Sequence, residues 1–196
     1  MIVTMSASTG PATERTFRLI RSDQAPLLAR PFYARGDPGP IVAALAHVPD
    51  ILELAVPFIS AVLGPSAIDG RRKEIVILRS SARAGCRFCI QAHSVVALDS
   101  GLSADEVRAL RGSLAIDEVF ADRAERQLIG WVDTVAALGP VEPRARAEMY
   151  QMAADHELME LTLLVGATLM LNRFCTALDL PTPDDVASRL TEVGIG

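Results

Sequence analysis

Aromatic side chains make up only 5% of this 196-residue chain, so the core is not organised around large rings. Lysine occurs once, as Lys73; the other basic residues are scattered arginines with no polybasic run. With a net charge of −5 and a pI near 5.2, the chain lacks the basic footprint expected of a nucleic-acid binder. Long apolar runs are also scarce. The most apolar stretch, Leu161 to Leu171, is shorter than a bilayer span and reads as a buried helix, so no membrane is expected as a partner. The opening residues, MIVTMSASTGPATERTF, contain neither a basic n-region nor an apolar h-region, and we read no export signal. Three cysteines without such a signal point to a reducing, cytoplasmic setting. There a Cys-x-x-Cys pair is more often catalytic or metal-binding than structural.

Half of the residues are apolar and come mainly from Leu, Ala, Val and Ile, a composition that favours an all-α fold. The length suits one domain over residues 16–196, preceded by a small, polar tail over 1–15 that is expected to be disordered. Residues 16–20 suit a short extended segment, and the prolines and glycines of 24–40 predict irregular backbone. Helices are expected over 41–47 and 51–63, the second capped by Asp50 and kinked or broken at Pro57. Asp69-Gly70 opens a helix carrying Glu74, with Ile75, Leu78 and Ala82 at helical spacing, although the Ile-Val-Ile-Leu run alone suits a buried strand equally well. Beyond Gly85, the cysteine helix runs from Cys86 to about Asp99. Ser103 and Glu106 form a capping box for a short helix to Arg111. Further helices are expected over 121–138, from Pro143 to about 154, over 157–178 and over 184–193. The 157–178 helix is apolar on nearly all sides, which suits the centre of the core or a subunit interface.

Chemistry concentrates between Glu74 and Gly101, EIVILRSSARAGCRFCIQAHSVVALDSG. At about 100° per residue, Cys86, Cys89 and His93 fall within an arc of about 60° on one helix face. A free thiol of ordinary pKa is only a few per cent thiolate at neutral pH. A helix N-terminus at Cys86 favours the anion, and His93, one turn after Cys89, is positioned to take a thiol proton directly or through water. Glu74 is placed to orient that imidazole across the turn. The second thiol of the pair would resolve a sulfenic acid to a disulfide. The dipole contributes about 0.3–1 kcal/mol at an exposed terminus. A positioned base contributes about 10²–10⁴ in rate, which predicts Cys89 as the nucleophile.

A Glu followed after twelve residues by Cys-x-x-Cys, then His four residues past the second Cys, resembles the AhpD-like alkylhydroperoxidases of the carboxymuconolactone decarboxylase superfamily. EIVILRSSARAGCRFCIQAHSVVALDSGLSADEV is similar to that family's central signature, and ELTLLVGATLMLNRFCTAL to its closing helix. The resemblance covers about residues 45–180. It implies an AhpD-type helical bundle with the site on an antiparallel helix pair, and a homo-oligomer, trimeric or hexameric. It also implies reduction of a hydroperoxide without metal or flavin, re-reduction by a dithiol or lipoyl-type protein, and a peroxiredoxin-type antioxidant role. By that analogy Cys89 attacks the peroxide, Cys86 resolves, and Glu74 and His93 relay protons. One departure is Phe88, where well-characterised members carry a histidine; it makes the site more apolar.

Three other readings compete with this one. Zinc could be held by Cys86, Cys89, His93 and Glu74, although structural zinc sites usually draw on two separated ligand pairs and no second pair exists. The decarboxylase branch of the superfamily does not use a cysteine pair. A non-enzymatic helical oligomer would leave the thiols without a role. Cys175, in the most apolar helix, reads as a buried core thiol outside the site. His47 and His156 read as capping or surface residues, Trp131 as core, and Asn172-Arg173 as structural pairing.

Overall fold

The computed structural model describes residues 17–137 and 139–195, and among these there are helices and no strand. Two 3₁₀ stretches, Ser22–Gln24 and Leu27–Tyr33, lead into α1 (Pro40–Leu45) and α2 (Pro49–Leu63). There follow α3 (Gly70–Ala84), α4 (Arg87–Asp99), α5 (Ala104–Leu110), α6 (Ile116–Val119), α7 (Arg123–Ala136), α8 (Pro143–Met152), α9 (Asp155–Ala177) and α10 (Asp184–Glu192). The expected tail over 1–15 lies outside the described residues.

The centre of the molecule is α3, which packs against α9, α4, α7 and α5. With neighbours on every side it buries Ile75, Val76, Ile77 and Leu78 in succession. This is why the run also suited a strand: burial on all faces erases the 3.6-residue period. Each of these side chains contributes about 1.5–3 kcal/mol through its removal from water. The Asp69 carboxylate caps the helix by accepting the Arg72 N–H at 2.9 Å. Lys73, the sole lysine, is buried in the same turn. Its Nζ donates to the carbonyls of Val62 and Gly64 at the end of α2 and pairs with Glu160 of α9 at 3.0 Å. The Arg79 guanidinium holds both oxygens of Asp133, at 2.6 and 2.7 Å, and so ties α3 to α7.

In α9, Leu161, Leu164, Val165, Thr168, Leu171, Asn172 and Cys175 form one buried face at helical spacing. Met159, Leu163 and Met170 are exposed. By length and composition alone this 23-residue helix could cross a bilayer. Its inner face instead packs on α2, α3, α4, α7 and α8.

Several boundaries differ from the sequence expectations. The segment expected to be irregular contains the two 3₁₀ stretches, and the extended segment near residues 17–20 is not a strand. Pro57 does not break α2: both it and Glu53, whose carbonyl loses its partner, are exposed, so water can satisfy that oxygen. Asp50 lies inside the first turn of α2 rather than capping it; Pro49 starts the helix after Val48. The short α6 has no signal strong enough to be read in advance.

Candidate active site

A left-handed glycine sets up the site. Gly85 closes α3 at φ 65°, and its N–H and that of Cys86 return to carbonyls at the end of α3, including a 3.1 Å bond from Cys86 to Ser81. The chain reverses at once, and α4 packs back on α3. Cys86 thereby becomes the N-cap of α4, its sulfur accepting the Cys89 N–H at 3.4 Å. One helical turn brings the two sulfurs to 2.8 Å of each other.

The same hairpin brings Glu74 and His93 together. Glu74, 6% exposed, faces α4, and its Oε2 lies 3.0 Å from Nδ1 of His93. The His93 side chain is 23% exposed, which leaves the ring a route to solvent. Among the described residues His93 makes no hydrogen bond to either sulfur. The carboxylate–imidazole pair expected from the sequence is present; direct contact between the imidazole and a thiol is not.

The third thiol corrects the sequence reading. Cys175, expected to be a bystander in the core, places its sulfur within 4.8 Å of those of both Cys86 and Cys89. All three residues are buried, at 1%, 5% and 1% exposure for Cys86, Cys89 and Cys175. The ligand set considered for zinc is changed as well: the group closing on the pair is Cys175 of α9, not His93 with Glu74. Cys175 occupies the buried register of α9 one turn after Asn172. That register was legible, but its alignment with the Cys86–Cys89 turn depends on the α4–α9 contact. Asn172 is fully buried and its amide nitrogen donates to Ser81 Oγ at 3.0 Å, while its Oδ1 has no partner.

Electrostatics sets the two sulfurs apart, lowering the Cys86 thiol and raising that of Cys89. The Cys86 thiol is held far below its ordinary pKa by hydrogen bonds from Cys175 and Cys89, with further help from the Cys89 N–H and Thr176. For Cys89, Cys175 acts in the lowering direction. Its hydrogen bond to the Cys86 anion and its burial outweigh that and push it up. Cys175 is raised by its bonds to Cys86 and Cys89 and by burial. Three thiols this close titrate together, and the hydrogen bonds and the helix N-terminus favour the anion at Cys86.

Phe88, Ala44 and Leu180 close an apolar shell around the sulfurs, with Leu19, Ile41, Phe174 and Leu178 against it. Beyond this wall lies a cleft of about 820 Å³ whose lining includes Leu19, Tyr33, Pro40, Ala43, Pro181 and Val186. His47 is exposed and its Nε2 lies 2.7 Å from the Arg18 carbonyl, in the segment bordering that wall. Trp131 is buried and donates to Thr162 Oγ1 at 3.3 Å.

Residues 49–134, which contain Glu74, both cysteines of the pair and His93, match the model of the carboxymuconolactone decarboxylase family. Solved structures with the same fold include AhpD-type proteins. The match covers less than half of the chain, and it falls on the segment that carries the candidate site. A protein from Agrobacterium tumefaciens, described as an antioxidant-defence candidate of the AhpD type, superposes with a TM-score of 0.65 at 24% identity, over 71% of this chain and 94% of the other. A peroxidase-related protein from Silicibacter sp. TM1040 gives 0.76 at 15% identity, over 92% and 97%. The debrominase Bmp8 gives 0.72 at 19% identity, over 89% and 96%. At these identities the likeness is one of fold. No curated protein matches the sequence.

Proposed function

We propose that this AhpD-like protein is a thiol-dependent peroxidase that reduces organic hydroperoxides through a Cys86–Cys89 dithiol/disulfide cycle. The observation that carries the proposal is the 2.8 Å approach of the two sulfurs at a helix N-terminus. The Cys86 thiolate attacks the distal peroxide oxygen, the O–O bond breaks, and the alkoxide takes a proton to leave as an alcohol. Cys89 then attacks the sulfur of the sulfenic acid, expelling its oxygen as water and closing the disulfide. Two electrons leave the thiol pair and two enter the peroxide. A dithiol or lipoyl-type protein returns them by thiol–disulfide exchange, in a reducing, cytoplasmic setting.

His93, hydrogen-bonded to Glu74 and partly open to solvent, delivers and removes protons at this site through water. The apolar shell around the sulfurs and the adjoining cleft suit a hydroperoxide with a hydrocarbon substituent. The apolar stripe of Met159, Leu163 and Met170 on α9 is the surface through which the chain self-associates.

Steady-state turnover of cumene hydroperoxide with a dithiol reductant tests the proposal. Wild type should turn over, and the Cys86→Ser/Cys89→Ser double variant should show only the uncatalysed background. Equal rates for the two proteins would refute the cycle.

A further inference from the structure

Beyond the pair, the site contains a nucleophile to which the cycle assigns no work. Cys175 lies on α9, eighty-nine positions after Cys86, yet its sulfur sits within 4.8 Å of both others in the same apolar shell. Its apolar cluster contains Cys86, Cys89, Phe88, Ala44, Leu180 and its own helix neighbour Phe174, and the polar side chains of Asn172 and Thr176 reach the pair. Closing a disulfide there brings the sulfurs from within 4.8 Å to about 2.05 Å.

Extending the proposed peroxidase cycle, we propose that Cys175 is a third redox thiol, a reserve resolving residue that forms a disulfide with whichever of Cys86 or Cys89 is left as a sulfenic acid without its partner. The chemistry balances as in the main cycle. The attacking thiolate is oxidised to a sulfenic acid while the hydroperoxide is reduced to an alcohol. The Cys175 thiol then forms the S–S bond, and its proton leaves with the sulfenic oxygen as water. Cys89, at 2.8 Å, is the nearer partner of Cys86 and wins whenever it is free. Cys175 acts when Cys89 is blocked, and its reach intercepts the sulfenic acid before a second peroxide carries it irreversibly to the sulfinic acid.

The test uses Cys89→Ser and Cys86→Ser, each with and without Cys175→Ser, treated with cumene hydroperoxide and, in parallel, with diamide. Diamide joins neighbouring thiols without any peroxidase chemistry. Non-reducing peptide mapping should find Cys86 linked to Cys175 in Cys89→Ser, and Cys89 linked to Cys175 in Cys86→Ser. Neither variant should have a titratable thiol left. Adding Cys175→Ser should convert the product to a dimedone-reactive sulfenic acid, and then to a sulfinic acid at excess peroxide. A single variant that stops at a trappable sulfenic acid while Cys175 still titrates overturns the proposal, and does so even if wild type forms its Cys86–Cys89 disulfide normally. If peroxide oxidises no thiol in wild type but diamide still yields the Cys175 links, the peroxidase reading fails and the trithiol geometry stands. Absence of those links with both oxidants rejects Cys175 as a redox partner. Should either single variant fail to fold, wild type alkylated at one cysteine of the pair and then treated with diamide gives the same decision: a link from the remaining cysteine to Cys175 supports the proposal, and its absence rejects it.

Discussion

Nδ1 of His93 lies 3.0 Å from the buried Oε2 of Glu74, and neither residue is hydrogen-bonded to a thiol. In the proposed cycle the pair moves protons to and from the site and does not create the thiolate. His93→Ala should leave the fold and the Cys86–Cys89 disulfide intact while slowing peroxide reduction by about 10²-fold. Glu74→Gln, which keeps the hydrogen bond and removes the charge, should give a smaller loss with an altered pH profile. Near-normal rates with a lower melting temperature in Glu74→Gln would assign the carboxylate a structural role instead.

The nucleophile of the proposed cycle, Cys86, has a spectroscopic signature. A thiol held far below its ordinary pKa remains ionised well under about pH 8.5, the usual range of a free cysteine. Ultraviolet absorbance of the thiolate should therefore show about one equivalent in wild type and in Cys89→Ser at mildly acidic pH. Cys86→Ser should lose it. Cys89→Ser should also keep a fast first reaction with peroxide. Retention of the absorbance in Cys86→Ser would put the anion back on Cys89, where the helical register with His93 first suggested it.

On α9, Met159 is 61% exposed and Met170 50% exposed, on the face opposite the core. Leu163→Glu should shift the sedimentation coefficient from that of an oligomer to that of a monomer without changing the helical circular dichroism. A wild-type protein that sediments as a stable monomer at micromolar concentration would contradict the assignment of this stripe to self-association.

Lys73 supports α3 from beneath, bonding two carbonyls at the end of α2 and the Glu160 carboxylate. Lys73→Met keeps the packing volume and leaves the two carbonyls without their donor. Glu160, 22% exposed, can turn to water, so the expected loss is about 1–3 kcal/mol in urea unfolding. Unchanged stability would mean that water replaces the ammonium at no cost.

Much of this arrangement was readable from local signals. Asp69, Ser103 with Glu106, Gly85 and Pro143 mark helix ends by their own backbone chemistry, and the structure places helix termini at each. The spacing of Cys86, Cys89 and His93 showed a common helix face because one helix contains all three. What the sequence did not show depends on contacts between distant segments. Cys175 joins the pair only through the packing of α9 on α4. His93 meets Glu74 as expected, but whether the ring also bonds a sulfur depends on the packing of α4 on α3, and it does not. Pro57 continues a helix because the oxygen it strands faces water.

The central claim is that Cys86 and Cys89 form a working dithiol. It is tested most directly by counting thiols in the denatured, fully reduced protein before and after one equivalent of cumene hydroperoxide. The account predicts three titratable thiols falling to one, with Cys86 linked to Cys89, and a return to three after a dithiol reductant. Three thiols persisting after peroxide would contradict it.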